Sequence, residues 1–401
     1  MESKNVNGRA GVASMIQVNA QSTMETDYLY NTESTSLNEL FKSTYKQHTR
    51  FDKEPLLVKP DIFGLDRTVI FNIDSKRCEM IGNFILCMTL PSLDNEYYYM
   101  NDVGFGVIDS ITIVNGDREL ISYTGHYLMA RFLLNTSRSK QVGMNQMVGH
   151  YNTRHSLNGK ARKLYVPIPF MTSYNDKQYY PVFLSKEFQV RVKFRADIIL
   201  HRNESIRVRI ALTRNDTIRV LLNSPTPPVF NMTTELMYDA FHLSKGERLM
   251  FMTKPGRLMF QSQKESYEQF KINSDTMHFL LDLTGSVSYL IVTVSSANDR
   301  FHFFQIDAFT LILNGVVTGG VLTDANKFRY LYNHSIPNRY VYVIPFGLSC
   351  AETQPCGWMN FQADRKNSVL VIKRKDSSLT CDVTVSAISS DHTLFENGTI
   401  F

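Results

Sequence analysis

The sequence predicts an all-β chain built from two successive β modules. Three observations carry this: a high aromatic share, many short alternating runs, and a strand, turn, helix, strand plan that occurs twice. Phe and Tyr number 26 and 20 among 401 residues, and large planar side chains favour pleated, half-buried surfaces. From Asp66 onward the chain is a succession of short runs rich in β-branched and aromatic residues, at 67–74, 83–90, 108–114, 188–194 and 206–212. Phe188 to Phe194 alternates apolar and polar residues, which sends them to opposite faces of a strand. Many short strands joined by loops imply a sandwich or barrel.

In chain order, residues 1–50 read as an arm. Gly, Ser, Thr and Asn are frequent through Thr23 and regular apolar periodicity is missing. Helices are few. Gly125 to Asn135 places Tyr127, Leu128, Arg131, Phe132 and Leu134 at helical spacing, and Asp324 to Tyr332 offers Asp324 as a cap with Phe328, Tyr330 and Leu331 as apolar surface. Ile111 to Gly116, the first helix and Tyr165 to Phe170 are mirrored about half a chain later by Leu311 to Gly315, the second helix and Tyr342 to Phe346. Each Asn-Gly pair is a hairpin signal, because both residues tolerate positive φ. Ser244-Lys-Gly-Glu247 has the form of a capping box and Pro255-Gly256 closes the segment, so a short helix joins the modules. The expected division is an arm at 1–50, a first module at 51–248 and a second at 249–401.

Composition excludes several functions. Net charge is +5, so a nucleic-acid surface would need clustering. Only Arg154, His155, Lys160, Arg162 and Lys163, and then Lys373-Arg374-Lys375, cluster at all. Both are expected to be solvated faces, with no direct, specific nucleic-acid binding. Five cysteines at 78, 87, 350, 356 and 381 form no CxxC pair and are expected as buried free thiols. No signal peptide or long apolar span is seen, and the six N-x-S/T tripeptides are expected to stay unmodified in a reducing compartment. GxSxG, HExxH and GxxxxGK[ST] are missing, and the histidines, expected in loops and at edges, form no HxH pair. Gly104-Phe-Gly106 lacks the third glycine of a dinucleotide loop and is expected as a loop before a strand. No catalytic, cofactor or metal site is expected.

Read in order, the motifs resemble the major capsid proteins of nucleocytoplasmic large DNA viruses. Asp27-Tyr-Leu-Tyr30 and then Ser36 to Phe51 are similar to that family's amino-terminal signature, with Phe41, Tyr45, His48, Thr49 and Phe51 matching. Asn115-Gly116, Gly125 to Leu128, Tyr165 to Phe170, Pro181 to Leu184, Tyr238 to Arg248 and Gln354 to Phe361 continue the resemblance, with Cys356 and Trp358 in place of serines. The resemblance implies two tandem eight-stranded antiparallel jelly rolls with short connecting helices, and a homotrimer forming a pseudo-hexagonal tile of an icosahedral virion shell assembled in the host cytoplasm. A chain shorter than many members implies trimmed surface loops. Implied partners are other copies, neighbouring capsomers, minor capsid or cement proteins and the internal viral membrane. Leu37, Leu40, Phe41, Tyr45 and Phe51 are the expected docking surface of an assembly arm, with Lys42, Lys46 and Arg50 on one side of an amphipathic helix. The alternatives are a related scaffold or minor capsid protein and, from another class, a carbohydrate-binding β-sandwich.

Overall fold

The computed structural model describes residues 51–61, 68–90, 97–99, 102–150, 162–170, 179–195, 197–202, 206–212, 218–220, 232–270, 274–296, 299–313, 315–325, 328, 339–348, 356–361, 368–375, 380–396 and 398–400. The first half contains β1 (Phe51–Val58), β2 (Thr68–Ile73), β3 (Met80–Leu90), β4 (Tyr97–Tyr99), β5 (Ile108–Asn115), β6 (Arg118–Thr124), β7 (Arg162–Ile168), β8 (Phe188–Phe194), β9 (Asp197–Arg202), β10 (Ile206–Leu212), β11 (Ile218–Val220) and β12 (Thr233–Leu243). The second contains β13 (Gly256–Phe270), β14 (Thr276–Leu280), β15 (Ser286–Ser296), β16 (Asp299–Phe303), β17 (Ile306–Leu313), β18 (Val316–Asp324), β19 (Tyr342–Pro345), β20 (Met359–Asn360), β21 (Val369–Arg374), β22 (Cys381–Glu396) and β23 (Thr399–Ile400).

Strand order shows the repeat directly. The first sandwich packs sheet β1-β12-β3-β7 on sheet β2-β8-β5-β6. In the second, β13-β22-β15 with β19 beside β15 faces β14-β21-β17-β18. Position for position these are the same eight-stranded antiparallel jelly roll, formed twice. A further sheet, β11-β10-β9-β4, is built from the segments inserted after β3 and β8.

Alternation produces the sandwiches. Phe188, Val190, Val192 and Phe194 of β8 turn inward against Leu236, Tyr238 and Ala240 of β12 and Phe84 and Leu86 of β3. Phe84 lies 5.1 Å from Phe170 and 6.1 Å from Tyr238, ring centre to ring centre, and Tyr180 lies 5.0 Å from Phe188. Each such buried ring contributes roughly 1.5–3 kcal/mol over an exposed one. A separate core, including Leu290, Val292, Phe309, Tyr342, Ile372 and Val385, fills the second sandwich.

The Gly125–Asn135 helix forms where its periodicity predicts. Thr124 Oγ1 caps it by accepting from the Tyr127 N–H at 3.1 Å. Gly125 is required because a Cβ there would come within 2.4 Å of the carbonyl oxygens of both Phe105 and Ile108. The joining helix, Lys245–Thr253, is likewise capped by Ser244, whose Oγ accepts from the Glu247 N–H. It ends just before Pro255, which disfavours helical backbone in the preceding residue. Of the expected Asp324 to Tyr332 helix, Ala325 and Phe328 are helical and the rest of the segment lies outside the described residues, while Asp324 itself closes β18.

Other expectations are corrected. Gly104-Phe-Gly106 belongs to a one-turn helix, Val103–Gly106, and not to a loop. A side chain at Gly104 would meet the Val148 carbonyl at 2.9 Å, so glycine allows this turn to lie close beneath the helix that ends at Val148. The Arg138–Val148 helix is mostly polar, with Val142, Met144, Met147 and Val148 its only large apolar residues; Gly149, at φ +85°, stops it. In the first hairpin Asn115 pairs with Arg118 and still belongs to β5, so the loop is Gly116-Asp117, with Gly116 at φ +61°.

Candidate assembly surfaces

The two sandwiches join through the first sandwich's edge strand β6 and the helix that follows it. These lie on the outward face of the β13-β22-β15-β19 sheet. Tyr123 Oη donates to the Gln261 carbonyl at 2.9 Å, the Thr124 N–H donates to Gln263 Oε1 at 3.2 Å, and the Thr124 hydroxyl bonds Glu265. One turn on, His126 Nε2 meets Thr293 Oγ1 at 3.1 Å, with its ring against Phe301 and Phe303. The covered sheet face is apolar at Tyr289, Ile291 and Ile388 and hydroxylic at Thr293, Ser295, Thr384 and Ser386, all of them buried. The expectation that histidines sit in loops and at edges fails for His126, which is buried in a helix where its ring fills apolar space while its nitrogen bonds across the seam.

Charge is buried here too. Arg131 donates from Nη1 to Tyr127 Oη at 3.1 Å. Burial alone would lower the Arg131 pKa, but the phenol oxygens of Tyr127, Tyr123 and Tyr289 outweigh it and the pKa is raised, so the guanidinium stays charged. Further along the seam Arg339, just before β19, donates from Nη2 to Asp102 Oδ2 at 2.5 Å, and His150 Nδ1 lies 3.2 Å from the same oxygen. Burial pushes the Asp102 carboxyl up. The His150 hydrogen bond and the Arg339 charge more than offset this and hold it below the usual carboxylate range.

The basic runs are not simple solvated faces. Arg374 is buried, donating from Nε to the Ser274 carbonyl at 2.8 Å, because the β21 alternation turns it inward between two surface lysines. Lys163 pairs with Glu235 at 3.7 Å, whereas Arg154, His155 and Lys160 lie outside the described residues. Cys78, Cys87 and Cys381 are buried free thiols and Cys356 is half-buried; Cys350 lies outside the described residues. Burial, followed by the Glu79 charge, pushes the Cys78 thiol up to about 12, which leaves it protonated and unreactive. Among the described residues no group of His, Cys, Asp or Glu could hold a metal ion, and no helix is long and apolar enough to cross a membrane.

Of the expected arm, Leu37, Leu40, Phe41 and Tyr45 lie outside the described residues. Phe51 opens β1 opposite Leu243, 46% exposed, with its ring 5.8 Å from that of Phe241. The chain therefore enters the first sandwich beside the joining helix, which exposes Leu249, Met250 and Met252.

Two sandwiches of one strand order, side by side and joined through a hydroxyl-rich seam, match what comparison with known families finds. Residues 39–222 match the family of the major capsid protein N-terminus. Solved structures agree. PBCV-1 VP54, fitted into a reconstruction of the virophage Sputnik, superposes with a TM-score of 0.73 at 13% identity, covering 90% of this chain and 98% of that one. The Faustovirus major capsid protein gives 0.69 at 10%, covering 96% and 98%. The major capsid protein of Sulfolobus turreted icosahedral virus gives 0.53 at 10%, covering 85% and 96%. At these identities the likeness is one of fold, and that fold is the double jelly roll of viral capsids. No curated protein sequence matches the chain. Asp102 and Arg339, which stitch the seam, carried no signal in the sequence, because they meet across 237 residues.

Proposed function

We propose that this chain is a major capsid protein of a large DNA virus, three copies forming a pseudo-hexagonal tile of an icosahedral shell. The observation that carries the reading is the repeated sandwich: two jelly rolls of one strand order per chain give three chains six equivalent lobes. The match over residues 39–222 supports it from sequence. A division into 1–50, 51–248 and 249–401 agrees with the helix Lys245–Thr253 falling between β12 and β13.

In this reading the protein's work is mechanical and involves no catalysis. Buried seams such as Asp102 with Arg339 fix one lobe against the other, and large contacts between copies, commonly 2,000 Å² or more for obligate assemblies, carry the shell. Leu37, Leu40, Phe41, Tyr45 and Phe51 would tie the tile to minor capsid proteins or to the membrane beneath, and the product resides in virions assembled in the host cytoplasm. Quantitative protein analysis of purified virions tests this: the chain should be among their most abundant proteins. Its absence from mature particles, together with abundance in assembly intermediates, would make it a scaffold instead.

A further inference from the structure

The joining helix, Lys245–Thr253, is amphipathic and yet carries no buried residue. Of its apolar side chains only Phe251 is partly drawn in, with its ring 5.7 Å from that of Phe395. Lys245, Leu249 and Met252 follow at i, i+4 and i+7 and so share one stripe, with Met250 on its flank. Leu249 is 61% exposed, and Met250 and Met252 are exposed with it. The helix has only 9 residues, and helices shorter than about 12 residues are marginal in water unless an amphipathic face is packed. Its open side calls for a partner.

Charge indicates which one. Lys245 opens the helix, Lys254 follows its last turn and Arg257 lies just beyond, in β13. None of the three forms an ion pair among the described residues. Arg248 is held instead, 3.7 Å from Glu79 and over the Phe183 ring, which fixes the inner side of the helix on the first sandwich. Glu247, the only acid of the helix, sits in its first turn beside the Ser244 cap. The open side therefore presents aliphatic and thioether side chains framed by unpaired cations. That is the composition of a helix lying in the interface of an anionic bilayer, apolar side chains in the acyl boundary and cations at the headgroups. A protein groove would fit the apolar stripe without calling for the cations.

Other side chains at this end agree. β13 begins beside the end of β22, and β19 ends beside the start of β15 at the same end of that sheet. The loop leaving β19 holds Leu348, 94% exposed, and Trp358, the only tryptophan of the chain, also exposed. Tryptophan is enriched where membrane meets water. Glycine at 347 lets the two arms of this loop touch, since a Cβ there would come within 2.8 Å of the Gly357 carbonyl oxygen.

We propose that the joining helix is a lipid-binding element, lying flat on an anionic phospholipid surface with Leu249, Met250 and Met252 in the acyl boundary and Lys245 and Lys254 against the headgroups. A helix this short lies on the bilayer, because crossing its hydrocarbon core takes roughly 20 residues. The inference rests on the capsid reading above and places the membrane contact of the tile on this helix. Several copies in one tile would bind together, so each single contact can be weak.

Flotation of the full-length protein with vesicles tests it. Mixed phosphatidylcholine and phosphatidylserine vesicles should carry the protein up the gradient, and phosphatidylcholine alone should not. Lys245→Gln combined with Lys254→Gln is expected to lower the partition coefficient roughly 30-fold, about fivefold for each cation near the surface. Leu249→Ser combined with Met252→Ser should lower it roughly tenfold or more. Both variants change exposed side chains, so melting temperature and oligomer mass should stay at the parent values. Val142→Ser, exposed on the Arg138–Val148 helix, is the control and floats as the parent does. A parent that does not float with the anionic vesicles, that floats equally with phosphatidylcholine alone, or whose two variants float as it does overturns the proposal and leaves the capsid reading standing. Absence of the protein from virions removes the capsid reading by itself. Should the serine variant fail to fold, the lysine variant decides.

Discussion

Arg339→Met should loosen the joint between the two sandwiches more than any surface substitution. Asp102 is almost fully buried, and two groups address its carboxylate: Arg339 at 2.5 Å and His150 at 3.2 Å. Methionine keeps much of the volume and removes the charge, leaving a buried carboxylate with His150 as its remaining partner. Breaking a buried pair from one side costs about 3–5 kcal/mol; the low end, about 3 kcal/mol, applies because Arg339 retains some solvent contact and His150 remains. For sandwiches of this size that is a drop in melting temperature of about 6–12 °C. Adding Asp102→Asn removes the stranded charge, so the double variant should recover at least half of the loss, a coupling of 1 kcal/mol or more on the scale of directly contacting residues. The pH dependence has a definite sign. The Asp102 pKa is depressed in the folded chain, so its contribution is fully present above the unfolded value near 4 and is lost as pH falls through the lower folded value. Arg339→Met should flatten that acid limb. Scanning calorimetry from pH 3 to 7 reads both effects. A single variant melting within about 2 °C of the parent, or a double variant no better than the single, would refute the reasoning.

Three further outcomes follow from the same packing. Gly125→Ala should cost about 1–3 kcal/mol, because both atoms its Cβ would strike are backbone carbonyls; Gly143→Ala, mid-helix with open space around it, should instead gain about 0.5–1 kcal/mol, both read by chemical denaturation. Thr124→Val should lose about 1–2 kcal/mol of capping and the bonds to Gln263 and Glu265, and the loss should be smaller in a Gln263→Ala background if the seam is read correctly. Deleting residues 1–35 should leave melting temperature and oligomer mass nearly unchanged while lowering the yield of closed shells in a particle assembly assay; normal shells, or an unfolded product, would show that the arm is not a tether.

Much of the fold was legible because strands announce themselves locally. Phe188 to Phe194 alternates over its whole length, and the observed strand has those same limits. The Gly125–Asn135 helix was legible from its spacing, and Ser244 from its capping pattern. What the sequence hid was of two kinds. The Arg138–Val148 helix is mostly polar, and the helical spacing of Met144, Met147 and Val148 spans little more than one turn, too short a run to stand out. The seam is hidden for a different reason: Thr293, Ser295, Thr384 and Ser386 look like the solvent side of alternating strands, and only the presence of a second sandwich above them makes that side an interior. Arg374 misled similarly, since a lone arginine between two lysines reads as surface until the register of β21 turns it inward. The arm residues Leu37 to Tyr45 carried the most specific resemblance, and they lie outside the described residues.

Electron microscopy of the purified protein tests the central claim most directly. Two-dimensional class averages, taken with a light-scattering mass, should show six similar lobes around a threefold axis in a particle of three times the 46.1 kDa chain mass. A uniform population of two-lobed particles at the mass of one chain would contradict it.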